Sequence, residues 1–406
     1  MEEANRCLGC KVPQCQKGCP IRTPIPEVIK LLKANELDQA GRMLFENNPL
    51  TTVCSLICNH EKQCEGHCVL GRKGTPVHFS VIENYISSTY ASKMVKGPAP
   101  SNGMKVAIVG SGPAGITIAI LMARYGYQVT IFEGKDKIGG ILRYGIPEFR
   151  LPKSTLDDIQ YRHLELKGIK IRPNTRIGDA IQVDDLFRDG YKAIFIGTGG
   201  WKANTLGIKG ESFGHVHYAI NYLNNPDVYK LGEKVVVIGA GNAAMDVART
   251  ALRHGSRKVT CFSLTKAITA SQYEASYAQL EGVEITCNKK PIEITDDGVI
   301  FRDLIENEDG TLTEVEGSDT LVPADSVVIS ISQGPQNTIT RTTSGLNANP
   351  RGLLVADESG RTSRPGVFAS GDAVNGARTV VEAVAHSKVV AEAMHEYIQS
   401  QLNQAE

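Results

Sequence analysis

The apolar positions of this chain change rhythm near residue 100. Before it, hydrophobic side chains recur at helical spacing, most clearly in "PIPEVIKLLKANELDQAGRMLFENNP", where Val28, Leu31, Leu32 and Leu37 define one apolar face. After it come unbroken apolar runs of strand length, "KVAIVG", "KVVVIG" and "YKAIFIG", each closed by glycine. Runs without polar alternation mark strands buried on both faces, as in parallel sheets. The pattern predicts a small helical domain over residues 1–98 followed by an α/β region. Between them "KGPAPSNG", Lys96 to Gly103, has the composition of a linker.

Two α/β segments share one plan: "KVAIVGSGPAGITIAILMARYGYQVTIFE" from Lys105 and "KVVVIGAGNAAMDVARTALRHGSRKVTCF" from Lys234. Each reads as a buried strand, a glycine turn, an amphipathic helix and a second strand, so a nucleotide-binding fold is expected twice. In the first, Gly110, Gly112 and Gly115, with Pro113 and Ala114 between them, form G-x-G-x-x-G. The first glycine makes the turn, the second lets the backbone approach a pyrophosphate, and the third lets helix and strand pack closely. Glu133, ending the second strand, stands where an acid would bond a ribose hydroxyl. Gly197, Thr198 and Gly199 close a neighbouring strand-to-glycine unit, and "DSVVISISQGP" is another. In "GVFASGDAV", Gly371 and Asp372 suit a carboxylate on the ribityl hydroxyls of a flavin. The helix beginning at Thr379, Val380 and Val381 would aim its N-terminus at the ring. This pairing indicates FAD.

The second turn, Gly239, Gly241 and Ala244 with Asn242 and Ala243, should hold the hydride partner, a nicotinamide. Its loop carries Ser263, Leu264 and Thr265, with Lys266 the nearest base, where an arginine pair would grip a 2′-phosphate. NADH is therefore favoured over NADPH. Asp246 on the following helix either caps or contacts the site or lies on a solvated face.

Charge adds little, since 44 basic residues balance 44 acidic ones and no overall field draws the chain to nucleic acid or an anionic membrane. No apolar run approaches the ~20 residues of a membrane span, and no signal pattern opens the chain. The chain reads as cytoplasmic, where thiols stay out of structural disulfides. Eight of ten cysteines nevertheless fall between residues 7 and 68. Cys261 and Cys287 read as small buried hydrophobes. The run C-x2-C-x4-C-x3-C-P at Cys7, Cys10, Cys15 and Cys19 is close to the ferredoxin run, in which three cysteines hold one cubane and the fourth reaches a second. Zinc sites of four cysteines usually come as two separated pairs instead. No cysteine occurs in "GGILRYGIPEFRLPK" and no C-x-x-C lies beyond Cys10, so a disulfide route for electrons is closed. The nine histidines are scattered, and no acid–base set stands out.

Together "RCLGCKVPQCQKGCP", "NNPLTTVCSLICNHEKQCEGHC", "VAIVGSGPAGITIA", "GGILRYGIPEFRLPK", "VIGAGNAAMDVART" and "GVFASGDAV" resemble the glutamate synthase small-subunit family, over nearly all 406 residues. That family includes the N-terminal half of dihydropyrimidine dehydrogenase and, closest in size and plan, the flavin subunit of its bacterial NAD-dependent counterpart. The resemblance implies a helical domain with two [4Fe-4S] clusters over 1–98, an FAD domain over 99–210 and 327–406, and a nicotinamide domain over 211–326 inserted in it. It gives the first cluster Cys7, Cys10, Cys15 and Cys68, and the second Cys19, Cys58, Cys64 and the side chain of Glu83. Cys54 matches a cysteine that does not ligate. It also lays Gly139, Gly140, Leu142 and Ile146 along the flavin. The chain begins six residues before Cys7, so contacts made by a longer lead in relatives are expected from another subunit.

The implied activity is electron input: hydride from NAD(P)H to FAD, then single electrons through the clusters to a second oxidoreductase subunit or ferredoxin in a hetero-oligomer. Alternatives are a free-standing NAD(P)H:ferredoxin or NAD(P)H:sulfide oxidoreductase, and a redox-sensing or assembly scaffold whose nicotinamide pocket has decayed.

Overall fold

A computed structural model describes residues 1–91, 93 and 97–403. Lys96 of the expected linker lies outside them, and residues 97–103 form no regular element. The chain divides into two compact units, one of Met1–Leu142, Glu148–Gly200 and Gly334–Glu406, the other of Arg143–Pro147 and Trp201–Gln333. The second is thus inserted in the first, the nesting the family resemblance implies.

In the first unit, the N-terminal lobe is built of short helices whose apolar faces meet in one core. Val28, Ile29 and Leu32 of helix Ile25–Lys33, Leu44 of Leu37–Asn47 and Phe79, Ile82 and Ile86 of Phe79–Ala91 are buried together. The long amphipathic stretch is two helices, not one, because Asn35 takes a positive φ of 63° and breaks it. Leu31 and Leu37 accordingly flank the core half-buried, while Val28 and Leu32 enter it. Cys7, Cys15 and Cys68 pack on the same core.

The remainder of this unit carries a five-stranded parallel sheet ordered Val367–Ala369, Tyr191–Ile196, Lys105–Val109, Gln128–Phe132, Lys170–Arg172. Val106, Ala107 and Ile108 of its middle strand are fully buried, as a central strand covered on both faces requires. Helices Pro113–Arg124 and Val380–Asn403 pack on one another beside it.

The second unit repeats the plan, with parallel strands ordered Val216–Tyr218, Ser326–Ile329, Lys234–Ile238, Lys258–Phe262, Glu284–Thr286. It adds an antiparallel group, Lys289–Thr295, Gly298–Glu306, Leu312–Glu314 and Thr320–Pro323, that the apolar pattern does not announce. In this unit Asp246 fails one of its two expected readings, and Cys287 departs from expectation. Asp246 is buried at 3% exposure rather than solvated, because helix Asn242–Arg253 is covered on all sides from Ala244 to Ala251. Cys261 is buried, but Cys287 is half-exposed, since it lies just beyond edge strand Glu284–Thr286. Among the described residues no helix is long and apolar enough to cross a membrane.

Candidate functional site

The first glycine turn is dictated by close approach. Gly110 has φ 96°, and a Cβ on it would lie 2.6 Å from the Gly197 carbonyl oxygen. A Cβ on Gly115 would lie 2.0 Å from the oxygen of Gly110. Gly112, the N-cap of helix Pro113–Arg124, has nothing within 4 Å of that position, so its backbone faces open space. Two glycines are thus required by the protein itself, and the third leaves room for a group outside it. That room, at a helix N-terminus with unpaired N–H groups, fits the pyrophosphate of a dinucleotide.

Glu133 is buried behind this turn. Its Oε2 accepts from Ser111 N at 2.9 Å and from the Ser111 hydroxyl, and its Oε1 accepts from Lys135 N at 2.8 Å. The carboxylate therefore braces the turn, leaving Oε1 with acceptor capacity to spare. Ser111 is a partner that glycine counting overlooks; its position inside G-S-G, facing a strand-end acid, is the signal. Gly140 and Gly371 converge on the same place, with Cβ positions 2.9 Å from Gly112 Cα and 3.2 Å from Ala114 Cβ. Thr198 follows Gly197, and Gly199 takes φ 70°. Leu142 is fully buried and its carbonyl accepts from Lys153 Nζ at 3.0 Å. Gly139 N donates to Ser111 O. Ile146 belongs to the second unit.

Asp372 opens a four-residue helix behind Gly371. Burial pushes its carboxyl up to about 6, opposed by a hydrogen bond from Arg378 N and reinforced by Glu382. Thr379 caps helix Val380–Asn403: its N–H and hydroxyl both donate to Glu382, and its hydroxyl accepts from Glu382 N. The cap leaves the Val380 and Val381 amides at the helix end without intrahelical partners.

In the second unit, a Cβ on Gly239 would lie 2.2 Å from Ser330 O, and Gly241 caps helix Asn242–Arg253. Ala244 is fully buried where the helix crosses its strand, while Asn242 and Ala243 are exposed at the helix start. Asn242 Oδ1 accepts from Ser271 N at 2.8 Å. Ser263 is buried, its hydroxyl accepting from Thr265 N, whereas Leu264 and Lys266 are exposed.

In the helical lobe, Cys7, Cys10, Cys15, Cys64 and Cys68 line one pocket with Ile25, Ile29 and Phe79. Burial pushes the Cys15 thiol up to about 11, and Cys68, Cys7 and Cys10 beside it add to the shift. Cys64 also borders a second group: burial raises its thiol first, then Glu83, Glu65 and Cys19. Cys58 is raised by its hydrogen bond with Cys54 and by burial, with Glu83 and Cys64 adjacent. The fold so gathers Cys7, Cys10, Cys15, Cys64 and Cys68 at one pocket and sets Cys64 in turn beside Cys19, Cys58 and Glu83. Burial pushes the Glu83 carboxyl up to about 7, while Thr51 pulls it down. Among the described residues no three His, Cys, Asp or Glu side chains close on a point as a single ion would require. The cysteines ring an apolar pocket instead, a donor set that fits an iron–sulfur cluster.

Glu65, between Cys64 and Cys68 of the sequence, is buried yet accepts from Ser80 N, from the Ser80 hydroxyl and from His78. It ties the cysteine loop to the start of helix Phe79–Ala91, and no spacing rule marks it.

Residues 104–387 match the pyridine nucleotide-disulphide oxidoreductase family, and residues 1–95 match dihydropyrimidine dehydrogenase domain II, 4Fe-4S cluster. The small chain of glutamate synthase [NADPH] from Escherichia coli is 32% identical over 98% of this chain and 91% of its own length. The chain belongs to the glutamate synthase small-chain family. Subunit PreT of the NAD-dependent dihydropyrimidine dehydrogenase of Salmonella typhimurium is 29% identical over 98% of this chain and 94% of its own. Among solved structures, FprA of Mycobacterium tuberculosis in complex with NADPH superposes with a TM-score of 0.64 at 17% identity, over 76% of this chain and 86% of that one. Thioredoxin reductase of T. acidophilum does so with 0.55 at 24%, over 72% and 97%. Both likenesses concern the fold. Membership makes this chain a flavin and iron–sulfur oxidoreductase.

Proposed function

We propose that this chain is an electron-input module that oxidises a nicotinamide, NADH in preference to NADPH, and passes the electrons through FAD and two [4Fe-4S] clusters to a partner oxidoreductase subunit. The observation that carries the reading is the gathering of Cys7, Cys10, Cys15, Cys64 and Cys68 at one apolar pocket, with Cys64 in turn beside Cys19 and buried Glu83, in the same compact unit as the open turn at Gly112. When bound, a flavin takes two electrons as hydride from a nicotinamide and iron–sulfur clusters carry them singly.

The chain's own residues would bind and orient. The amides beyond Gly112 and the braced carboxylate of Glu133 would take the pyrophosphate and ribose of FAD, and Asp372 the ribityl hydroxyls. Val380 and Val381 would present helix-end N–H groups to the electron-rich side of the ring. Gly139, Gly140, Leu142, Gly197, Thr198 and Gly199 would line the ring and its approach. In the inserted unit, Gly241, Asn242 and Ala243 would meet the nicotinamide dinucleotide's pyrophosphate. Ser263, Leu264 and Lys266 lack the bidentate arginine grip that a 2′-phosphate calls for, which supports NADH. Cys7, Cys10, Cys15 and Cys68 would hold one cluster, and Cys19, Cys58, Cys64 and Glu83 the other.

A small chain by name, as in the glutamate synthase relatives, or a subunit, as in PreT, works with a second polypeptide, and the proposal extends that arrangement to this chain in the cytoplasm. Anaerobic titration of the intact protein with NADH and, separately, NADPH tests the reading. It predicts flavin bleaching at lower NADH than NADPH, with the broad iron–sulfur absorbance falling after it. Failure of both nucleotides to bleach flavin would overturn it.

A further inference from the structure

Thr23 Oγ1 stands 3.4 Å from Cys19 Sγ and accepts from Asn47 Nδ2 at 3.3 Å. Asn47 Oδ1 accepts from Lys388 Nζ at 3.1 Å, and the same nitrogen donates to the Asn47 carbonyl oxygen at 2.8 Å. Asn47 is 24 residues from Thr23 and 341 from Lys388, so only the fold joins them. Thr23 is buried at 3% exposure, and Asn47 and Lys388 are half-buried.

The chemistry of the three groups fixes the direction of every bond. An ammonium only donates, so the oxygen of the Asn47 amide must face Lys388 and its NH₂ must face Thr23. The Thr23 hydroxyl therefore accepts from Asn47 and has its single proton free for the sulfur of Cys19. Lys388 belongs to helix Val380–Asn403, eight residues or roughly 12 Å of helix beyond Val380. Burial and then Arg124 draw the Lys388 ammonium down, while Cys19 acts the opposite way, as its proximity requires.

We propose that Lys388, Asn47 and Thr23 are positioning residues forming a polarised relay that delivers a hydrogen bond to Cys19 sulfur and raises the reduction potential of the cluster this cysteine would hold. A hydrogen bond to a ligating sulfur and a nearby cation both favour the more negative, reduced state. The relay thus sets the second cluster to accept electrons from the flavin-binding part of the same unit. This rests on the cluster assignment proposed above.

The test is a redox titration of the full, cluster-bearing protein followed by electron paramagnetic resonance, for the unsubstituted chain, Thr23→Val, Thr23→Ser and Lys388→Gln. Thr23→Val and Lys388→Gln should each move the second cluster to a more negative midpoint and leave the first unmoved. Thr23→Ser, which keeps the hydroxyl, should retain the original value. A tenfold fall in the reduced-to-oxidised ratio at fixed ambient potential corresponds to about 59 mV for one electron. Should Thr23→Val fail to assemble the cluster, Lys388→Gln decides alone, because Lys388 stands three hydrogen bonds from the sulfur. An unmoved midpoint, an equal shift in both clusters, or a shift in Thr23→Ser as large as in Thr23→Val would overturn the relay. Absence of a second cluster signal in the unsubstituted protein would overturn the functional reading and the relay with it.

Discussion

Thr51 donates its hydroxyl to Glu83 Oε1 at 2.6 Å, and both side chains are buried. The pair orients a carboxyl group beside Cys58 and Cys64 at a place no solvent can serve. Glutamine preserves the accepting oxygen and the length of the side chain, whereas alanine removes both. Glu83→Gln should therefore retain iron and sulfide, and Glu83→Ala should lose about half of each, one cluster of two. Iron and acid-labile sulfide per chain measure this; full retention in Glu83→Ala would remove Glu83 from the ligand set.

The glycines of the first turn separate folding from binding. Gly112→Ala meets nothing within 4 Å in the protein, so apoprotein stability should be unchanged while flavin content falls. Gly115→Ala places a Cβ 2.0 Å from Gly110 O, and overpacking of this kind costs about 1–3 kcal/mol. Thermal denaturation of both apoproteins, with flavin counted per chain, checks the contrast.

His163 ties stability to pH. It is 3% exposed, stacks on Phe45 with ring centroids 4.9 Å apart, and burial pushes its imidazole down to about 4. Between that value and the ordinary value near 6.5, the unfolded chain binds more protons than the folded one, so stability rises with pH across this window. The contribution is complete above about pH 6.5 and is lost as pH falls toward 4, on the order of 3 kcal/mol in all. His163→Phe, which keeps the stack, should flatten the slope of denaturation free energy over this range.

Leu264 is 48% exposed on the loop after strand Lys258–Phe262, with Lys266 exposed nearby. An arginine at position 264 would offer a 2′-phosphate the fork it lacks. Leu264→Arg should raise kcat/KM for NADPH relative to NADH by about tenfold, the equivalent of one charge-assisted hydrogen bond. An unchanged ratio would show that this loop does not select the nucleotide.

Local rules made the nucleotide turns legible, because G-x-G-x-x-G and its flanking strand and helix sit within thirty residues of one another, with Gly110 and Gly115 required by close neighbours and Gly112 left open for a ligand. The cysteine runs were legible for the same reason. What escaped the sequence depends on distant pieces meeting. Strands such as Leu312–Glu314 and Thr320–Pro323 are largely exposed and owe their state to pairing with Gly298–Glu306, not to an apolar pattern of their own. Asn35 breaks a helix that periodicity would carry through, because its αL backbone turns the chain before Leu37. Asp246 is buried although its neighbours in sequence read as an ordinary amphipathic helix, because that helix is covered on all sides. Thr23, Asn47 and Lys388 carry no signal in any window, since their relation exists only across the fold.

Electrons from the nicotinamide are expected to reach the cysteine-rich lobe. Mixing the anaerobic protein with NADH, freezing it at successive times and recording flavin absorbance beside the paramagnetic iron–sulfur signal tests it directly. Flavin should bleach first, and an iron–sulfur signal should grow in as the flavin recovers. Reduced flavin persisting beside clusters that stay oxidised would contradict it.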